Sequence, residues 1–282
     1  MTDAAPADDP PPELLYRPPM QLWRSLRDVW RARELVFTLA QRDFLVRYKQ
    51  AELGLAWAVV TPLVLVVIFS ILFQRVATVD TGDAPYALYA YLGLLVWTFF
   101  SSALSQGAGC LLNNRALLNK VRFPREVFAI STVVVAALDT AIATAVLGIL
   151  FAFYGVMPDP TSVWIPALLV VQVAFTLAFT LLASVVVVYL RDLHHVVPML
   201  LQFGLFATPV AYGLDAVPDR LLPVYSALNP LGPVIDGYRR TILFHQAPDL
   251  VPLAIAGGSA AVMLIAAYAV FKRLESGITD VA

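Results

Sequence analysis

The stretch LVFTLAQRDFLVRYKQAELGLAWAVVTPLVLVVIFSILF (Leu35–Phe73) joins a charged half to an apolar half. The first half carries five charged residues, whereas the second half, from Leu53 to Phe73, carries none. A helix of about 20 apolar residues crosses the hydrocarbon core of a bilayer. The second half therefore predicts a membrane span, and the first half predicts a helix at the edge of the membrane.

The composition of the whole chain agrees with this interpretation. Apolar residues make up 60% of the 282 residues and charged residues only 14%, against about 25% charged in soluble domains. The single cysteine, Cys110, excludes an intrachain disulfide and leaves the redox compartment undecided. The composition places the chain in a bilayer.

Six runs are long and apolar enough to span, and only the third is interrupted by a charge, at Asp139. We therefore predict an all-α polytopic membrane protein. It has a disordered tail at 1–19, an amphipathic interfacial helix at 20–52 and a six-helix transmembrane domain at 53–282. The predicted spans are Leu53–Phe73, Pro85–Gln106, Val127–Tyr154, Trp164–Leu190, Val196–Leu214 and Leu250–Phe271.

The distribution of Lys and Arg predicts the orientation. If the N-terminus lies inside, fifteen of these residues fall on the inner side and four on the outer side. Cytoplasmic loops carry the excess of positive charge in membrane proteins. We therefore expect both termini in the cytoplasm of a bacterium and a multi-pass protein of its cytoplasmic (inner) membrane.

An apolar stripe runs along the helix that precedes the first span, at three- and four-residue steps. Such a helix lies in the membrane interface, with basic heads among anionic lipid headgroups. Asp43 and Arg47 are spaced for an i,i+4 ion pair, and a generic membrane anchor remains an alternative. The stripe comprises Trp23, Leu26, Trp30, Phe37, Ala40, Phe44, Tyr48 and Ala51.

Prolines interrupt the apolar segment between Leu214 and Leu250, which reads LLPVYSALNPLGPVIDGYRRTILF in its central part. Irregular backbone at membrane depth must be covered by protein or must line a watery cavity. We therefore predict short re-entrant helices that enter the outer leaflet before the last span. An ordinary outer loop with one apolar side is the alternative.

The sequence contains no catalytic constellation. Adjacent histidines on a helix point about 100° apart, so His194 and His195, with Asp192 nearby, are not expected to bind a metal. No phosphate-binding loop of the G-x-x-x-x-G-K-[ST] type occurs, so the chain is not expected to hydrolyse ATP or to be an enzyme. For Asp139, a structural role with a Thr or Ser hydroxyl of a neighbouring helix is favoured over a proton relay.

Four segments in order carry a resemblance to a known family. They are RDFLVRYKQAELGLAWAVVTP, LLNKVRFPREVFAIS, YLRDLHHVV and FATPVAYGLDAVPDRLLPVYSALNPLGPVIDGYRR. The chain resembles the permease subunits of ABC-2 type transporters that export polysaccharides, such as O-antigen, capsule, teichoic acid and galactan precursors. The resemblance extends from about Trp23 to the end of the chain and does not identify one glycan.

The resemblance implies a homodimer with two separate ATPase subunits, which would hold the ATP and Mg²⁺, and no cofactor in this chain. It also implies a substrate polymer on an undecaprenyl pyrophosphate anchor, contacts with membrane lipids and no nucleic-acid partner. Leu111–Phe123 would be the segment that couples to the ATPase, and Arg191–His195 a second contact. The coupling residues would be Asn113, Asn114, Arg115, Asn119, Lys120 and Arg122, and those of the second contact Arg191, Asp192 and His194.

Two further groups of residues are candidates for substrate contact. Guanidinium groups grip phosphate in a fork, so Arg42 and Arg47 are expected to meet the pyrophosphate head group. Aromatic faces pack against sugar rings, so six rings of the first and fifth spans are candidates for lining a channel, although they also suit lipid-facing or core positions. An exporter of a drug or small lipid with the same fold is the alternative function. The six rings are Trp57, Phe69, Phe73, Phe203, Phe206 and Tyr212.

Overall fold

The computed structural model describes residues 22–49, 54, 56–75, 84–118, 123–156, 159–275 and 277, and these residues form helices and no strands. The predicted all-α class is therefore confirmed for this part of the chain. The helices are α1 (Leu22–Arg31), α2 (Arg33–Lys49), α3 (Ala56–Arg75), α4 (Tyr86–Asn113), α5 (Arg115–Leu118), α6 (Glu126–Tyr154), α7 (Ile165–Tyr189), α8 (Leu193–Ala207), α9 (Leu222–Leu228), α10 (Leu231–Ile242) and α11 (Leu250–Glu275), with short 3₁₀ helices at Pro160–Trp164 and Leu214–Ala216.

Four of the described helices are long and apolar enough to cross a membrane. They are α4, α6, α11 and α7 together with the 3₁₀ turn that precedes it. The predicted first and fifth spans correspond to α3 and α8. With 15 residues, α8 is only about 22 Å long at 1.5 Å per residue, so it is shorter than the hydrocarbon core.

The centre of the bundle is α4, in which 20 of the 28 residues are buried. It packs against α3, α6, α7, α8 and α10. Two small residues permit close approach: a Cβ on Gly107 would lie 2.2 Å from Thr180 Cγ2 of α7, and a Cβ on Gly204 of α8 would lie 2.7 Å from Trp97. Glycine therefore sets the distance between α4 and two of its neighbours.

The single amphipathic helix predicted over 20–52 is two helices in the structure, α1 and α2, which meet at Ala32. The apolar surface of α2 is divided between two faces. Val36 and Leu39 are buried in a cluster with residues of α4, α6 and α7, and Ala40 is 1% exposed, whereas Phe37 is 62% exposed. The second half of the predicted stripe is thus not one continuous surface, because α2 packs on α6 as well as presenting aromatic residues outward.

The proline-rich segment before α11 forms two short helices, α9 and α10. Leu231, Val234 and Ile235 of α10 are each at most 1% exposed, and α10 packs against α4, α7 and α11. The protein therefore covers the α10 part of this segment, whereas Val224 and Leu228 of α9 are 59% and 68% exposed.

Candidate functional site

A polar cluster lies where α2 meets the middle of α6. Asp139 is the fourteenth of the 29 residues of α6. The Tyr48 hydroxyl donates a hydrogen bond of 2.8 Å to Asp139 Oδ1, and Arg47 Nη1 donates to Asp139 Oδ2. The prediction that Asp139 pairs with a Thr or Ser hydroxyl was wrong. The hydroxyl belongs to Tyr48, and the Arg47 guanidinium is the second donor.

The partners of the neighbouring charges also differ from the prediction. Asp43 was expected to pair with Arg47, but it accepts a 2.8 Å hydrogen bond from Arg42 Nε, and Arg47 pairs with Asp139. The Asp139 side chain is 16% exposed and that of Arg47 32% exposed. A carboxylate removed from water needs a counter-charge and hydrogen bonds, and the distant helix α2 supplies both.

Tyr48 is held as a hydrogen-bond donor in this cluster. Burial raises its pKa to about 12, and the hydrogen bond to Asp139 acts in the same direction. The phenol therefore stays protonated in any physiological medium and keeps its proton directed at the carboxylate.

A cavity of about 350 Å³ opens beside this cluster. Helices α2, α3, α4 and α6 all contribute to its wall, which has an indole and four side-chain hydroxyls besides the three residues of the cluster. Two further cavities, of about 600 and 470 Å³, are lined mainly by aliphatic and aromatic side chains. The polar cavity is lined by Arg47, Tyr48, Trp57, Thr61, Thr98, Ser102, Asp139, Thr140 and Ala143.

The C-terminal end of α4 connects two other elements. Asn114 Oδ1 accepts a 2.9 Å hydrogen bond from Arg42 Nη2 of α2, and Asn114 Nδ2 donates to the Cys110 carbonyl at 2.8 Å. Asn113 Nδ2 and the His194 ring both lie within 3.2 Å of the position that a Cβ on Gly109 would take. The structure thus brings the start of the predicted coupling segment together with a residue of the predicted second contact.

The remaining coupling candidates lie on exposed surface or outside the described residues. Asn113, Arg115, Arg191, Asp192 and His194 are exposed. Asn119, Lys120 and Arg122 fall outside the part of the chain that the structure describes. Among the described residues, no group of three or more His, Cys, Asp and Glu could hold a metal ion.

An ion cluster joins the first turn of α6 to the last turn of α11. Lys272 Nζ lies 2.8 Å from Glu126 Oε1 and 2.8 Å from Glu275 Oε2. The Tyr268 hydroxyl donates to Glu126 at 3.0 Å, and Arg125 donates to the Glu275 carbonyl. The Glu126 side chain is fully buried, so this cluster fixes the entry to α6 directly after the predicted coupling segment.

Arg239 of α10 is buried to 1% exposure and binds backbone carbonyls. Its Cζ lies 3.6 Å from the ring centroid of Tyr89, a cation–π contact. The carbonyls belong to α4 and to the turn that follows α8, so Arg239 ties α10 to both. Nε donates to Tyr89 O at 3.1 Å, Nη1 to Pro209 O at 2.9 Å and Tyr212 O at 2.8 Å, and Nη2 to Val210 O at 2.6 Å.

Three of the six aromatic channel candidates are exposed. Trp57, Phe203 and Phe206 are 49%, 64% and 66% exposed. The Tyr212 hydroxyl donates to the Phe206 carbonyl at 3.0 Å. Phe69 and Phe73 lie in α3, but their side chains are outside the described part of the structure.

Comparison with known proteins identifies the family. Residues 34–243 match the family described as ABC-2 type transporter. The chain belongs to the ABC-2 type transporter family. It is 32% identical over 250 residues to the O-antigen export system permease protein RfbA of Myxococcus xanthus, covering 88% of this chain and 95% of that protein. It is 24% identical over 249 residues, with the same coverage, to a protein of that name from Klebsiella pneumoniae.

The resemblance seen in the four sequence segments is thereby confirmed, and this ABC-2 type transporter is a multi-pass membrane protein. Sequence reasoning missed the two clusters around Glu126 and Arg239. Opposite charges at the ends of two predicted spans were a usable signal for the pair of Glu126 and Lys272. No sequence signal distinguishes Arg239, which is buried, from Arg240, whose side chain is 39% exposed.

Proposed function

We propose that this ABC-2 type transporter is the permease subunit that exports an undecaprenyl-pyrophosphate-linked polysaccharide across the bacterial cytoplasmic membrane. The observation that carries the proposal is the 32% identity to an O-antigen export permease, which extends over 95% of that relative. The similarity also covers 88% of this chain, so it is not confined to one helix or motif. ATP hydrolysis is assigned to a separate subunit.

The proposed topology has six spans, formed by α3, α4, α6, α7, α8 and α11, with both termini in the cytoplasm. The fifteen-to-four distribution of Lys and Arg supports this orientation. Helices α9 and α10 would re-enter from the outer side, where α10 is covered by α4, α7 and α11. A reporter fused after Ala282 should be active only in the cytoplasm, and activity on the outer side would overturn the topology.

The working assembly is proposed to be a homodimer with two ATPase subunits. Helices α3 and α8 support this, because both pack on α4 and present large uncovered apolar side chains. Trp57, Phe203 and Phe206 are among these side chains, as expected of rings that line a channel between two copies. The uncovered rings would contact the sugar polymer through their faces.

The coupling surface is proposed to comprise Leu111–Phe123 and Arg191–His195. Its support is the proximity of Asn113 and His194 at Gly109, which makes the two predicted contacts neighbours on one surface. A single ATPase cleft can then touch both. Asn114 would pass the movement to α2 through its hydrogen bond with Arg42.

Arg42 is proposed as the first contact of the pyrophosphate head group, ahead of Arg47. The Arg42 side chain is 43% exposed, and its guanidinium has five donors in all. Arg47 is less exposed and already pairs with Asp139. Withdrawing Arg47 would leave the carboxylate without a counter-charge.

The test is co-purification of the ATPase with charge-reversed permease. Arg115→Glu combined with Lys120→Glu should release the ATPase and abolish export, because both residues lie in the predicted coupling segment. Arg220→Glu, on the proposed outer side, is the matched control and should retain the ATPase. Retention of the ATPase together with normal export in the double variant would overturn the coupling assignment. Export of a drug or small lipid, but of no glycan, would favour the alternative function.

A further inference from the structure

The polar cavity among α2, α3, α4 and α6 has the chemistry of a carbohydrate site. We propose that it binds one neutral sugar ring of the exported polymer, through the ion pair of Arg47 and Asp139 and the surrounding hydroxyls. The inference rests on the proposed function, since it assigns part of that substrate to a place in the bundle. The site lies within one protomer.

The hydroxyl groups are the first argument. Besides Tyr48, four of the nine lining residues carry one, Thr61, Thr98, Ser102 and Thr140, whereas only three of sixteen and one of nineteen lining residues carry a hydroxyl in the two larger described cavities. Thr140 Oγ1 donates to the Ala136 carbonyl at 2.8 Å, and Ser102 Oγ accepts from Gln106 Nε2 at 2.8 Å. A hydroxyl has one proton and two lone pairs, so each of these groups keeps capacity for a ligand hydroxyl.

The ion pair is the second argument, because it favours a ligand that both donates and accepts. Asp139 receives donors from Tyr48 and Arg47, and a carboxylate offers about four acceptor positions. A sugar hydroxyl can donate to Asp139 while its neighbour accepts from Arg47, and the charges stay paired. A phosphate has only acceptors, so it would oppose Asp139 and compete for Arg47.

Size and the aromatic wall are the third argument. The volume of about 350 Å³ lies in the range of small-molecule sites, roughly 300–1,000 Å³. Trp57 borders the cavity and is about half exposed, at 49%. An indole face can cover the apolar face of a pyranose while the ring hydroxyls meet polar partners.

The test compares two pairs of hydroxyl deletions on the same two helices. The cavity pair is Ser102→Ala with Thr140→Val. The matched control is Ser101→Ala with Thr144→Val, which removes one serine and one threonine hydroxyl outside this cavity. Thr144 Oγ1 also donates to the carbonyl four residues earlier, at 2.8 Å, so the control reproduces the loss of the same kind of helix hydrogen bond.

The measurement is ATP hydrolysis by the complete permease–ATPase complex in lipid nanodiscs. Two probes are titrated: undecaprenyl pyrophosphate alone, and the lipid-linked glycan isolated from host cells that lack the permease. In the cavity variant, the glycan concentration for half-maximal stimulation should rise about tenfold, which corresponds to ~1.4 kcal/mol. The response to the bare lipid should not change, and the control variant should match the wild type for both probes.

Three results would overturn the inference while leaving the proposed function in place. They are an unchanged glycan response in the cavity variant, an equal loss of response to the bare lipid, and a loss of the same size in the control variant. The second result would assign the cavity to the head group. A wild-type complex that responds to neither probe would instead overturn the proposed function, and the inference with it.

Discussion

Replacing Arg239 by lysine should destabilise the protein far more than the same change at the adjacent Arg240. Arg239 makes four hydrogen bonds to backbone carbonyls from a site that is 1% exposed. The planar guanidinium reaches Tyr89 O on one side and the turn after α8 on the other. An ammonium is a compact point charge with three donors and no fork, so it cannot reproduce this geometry.

The expected magnitude follows from the bonds lost. A hydrogen bond to a charged group contributes about 1.5–3 kcal/mol, and lysine should lose at least two of the four. The loss also leaves buried carbonyls without partners, so Arg239→Lys should cost about 3–6 kcal/mol. At roughly 2–4 °C per kcal/mol for a large chain, the melting temperature should fall by about 6–24 °C.

Arg240→Lys is the matched control. Arg240 Nε bonds to Asp236 Oδ2 at 2.8 Å one helical turn away, and its side chain is 39% exposed. A lysine at this position can still reach the carboxylate, and such exposed pairs contribute only about 0–1 kcal/mol. Thermal melting in detergent, followed by size-exclusion chromatography with fluorescence detection, compares the two variants. Equal melting temperatures would refute the assignment of Arg239 as the tie between α10, α4 and the turn after α8.

Three further predictions concern the other buried contacts. Asp139→Asn should lower stability by about 1–3 kcal/mol because Arg47 loses its counter-charge. The double variant with Arg47→Gln should recover most of this loss in thermal melting. A double variant no more stable than Asp139→Asn would contradict the pairing. Glu126→Gln should destabilise the protein by about 2–4 kcal/mol, and more than Glu275→Gln, because the Glu126 side chain is fully buried and that of Glu275 is 21% exposed. A larger loss of stability for Glu275→Gln than for Glu126→Gln in chemical denaturation would refute this. Gly107→Ala should destabilise the protein by about 1–3 kcal/mol through overpacking on Thr180. A Cβ at Gly258 would meet nothing within 4 Å, so Gly258→Ala should stabilise the protein by up to about 1 kcal/mol. A lower melting temperature of Gly258→Ala would show that the space beside Gly258 is not open.

Much of the bundle was predictable, since long apolar runs without charge have few alternatives to a membrane helix. The ends of the helices were less predictable. The second run was expected to end at Gln106, but α4 continues to Asn113. Its extra turns contain Gly107 and Gly109, which the sequence presents as helix-weakening residues. The structure shows their use, because Thr180 and His194 occupy the space that a side chain would need.

The partners of buried charges were beyond prediction for a different reason. A lone acid in a span requires a counter-charge or hydrogen-bond donors. Sequence spacing suggested only a local pair, in which Arg47 binds Asp43, and gave no sign that Arg47 pairs with Asp139. The actual partner of Asp139 lies 92 residues away in the chain. Only the packing of α2 on α6 brings the two together, and no charge pattern reveals that packing.

Three side-chain contacts join helices at different places in the bundle. One lies at the start of the predicted coupling segment, one lies directly after it, and the third is formed by Arg239. Arg42 and Asn114 join α2 to the start of that segment, at the end of α4, and Glu126 and Lys272 join α6 to α11 just after it. If this segment contacts an ATPase, as proposed, its displacement would act on α2 through the exposed hydrogen bond of Arg42 and Asn114, and on α11 through the buried ion pair of Glu126 and Lys272. Separating α6 from α11 would break the buried ion pair, which costs several kcal/mol, whereas separating α2 from the end of α4 would break only an exposed hydrogen bond. The tie at Arg239 joins α10 to α4, so the same movement of α4 would pull on the carbonyls of the turn after α8. In the proposed coupling, α4 is the element through which a displacement of that segment would reach α10.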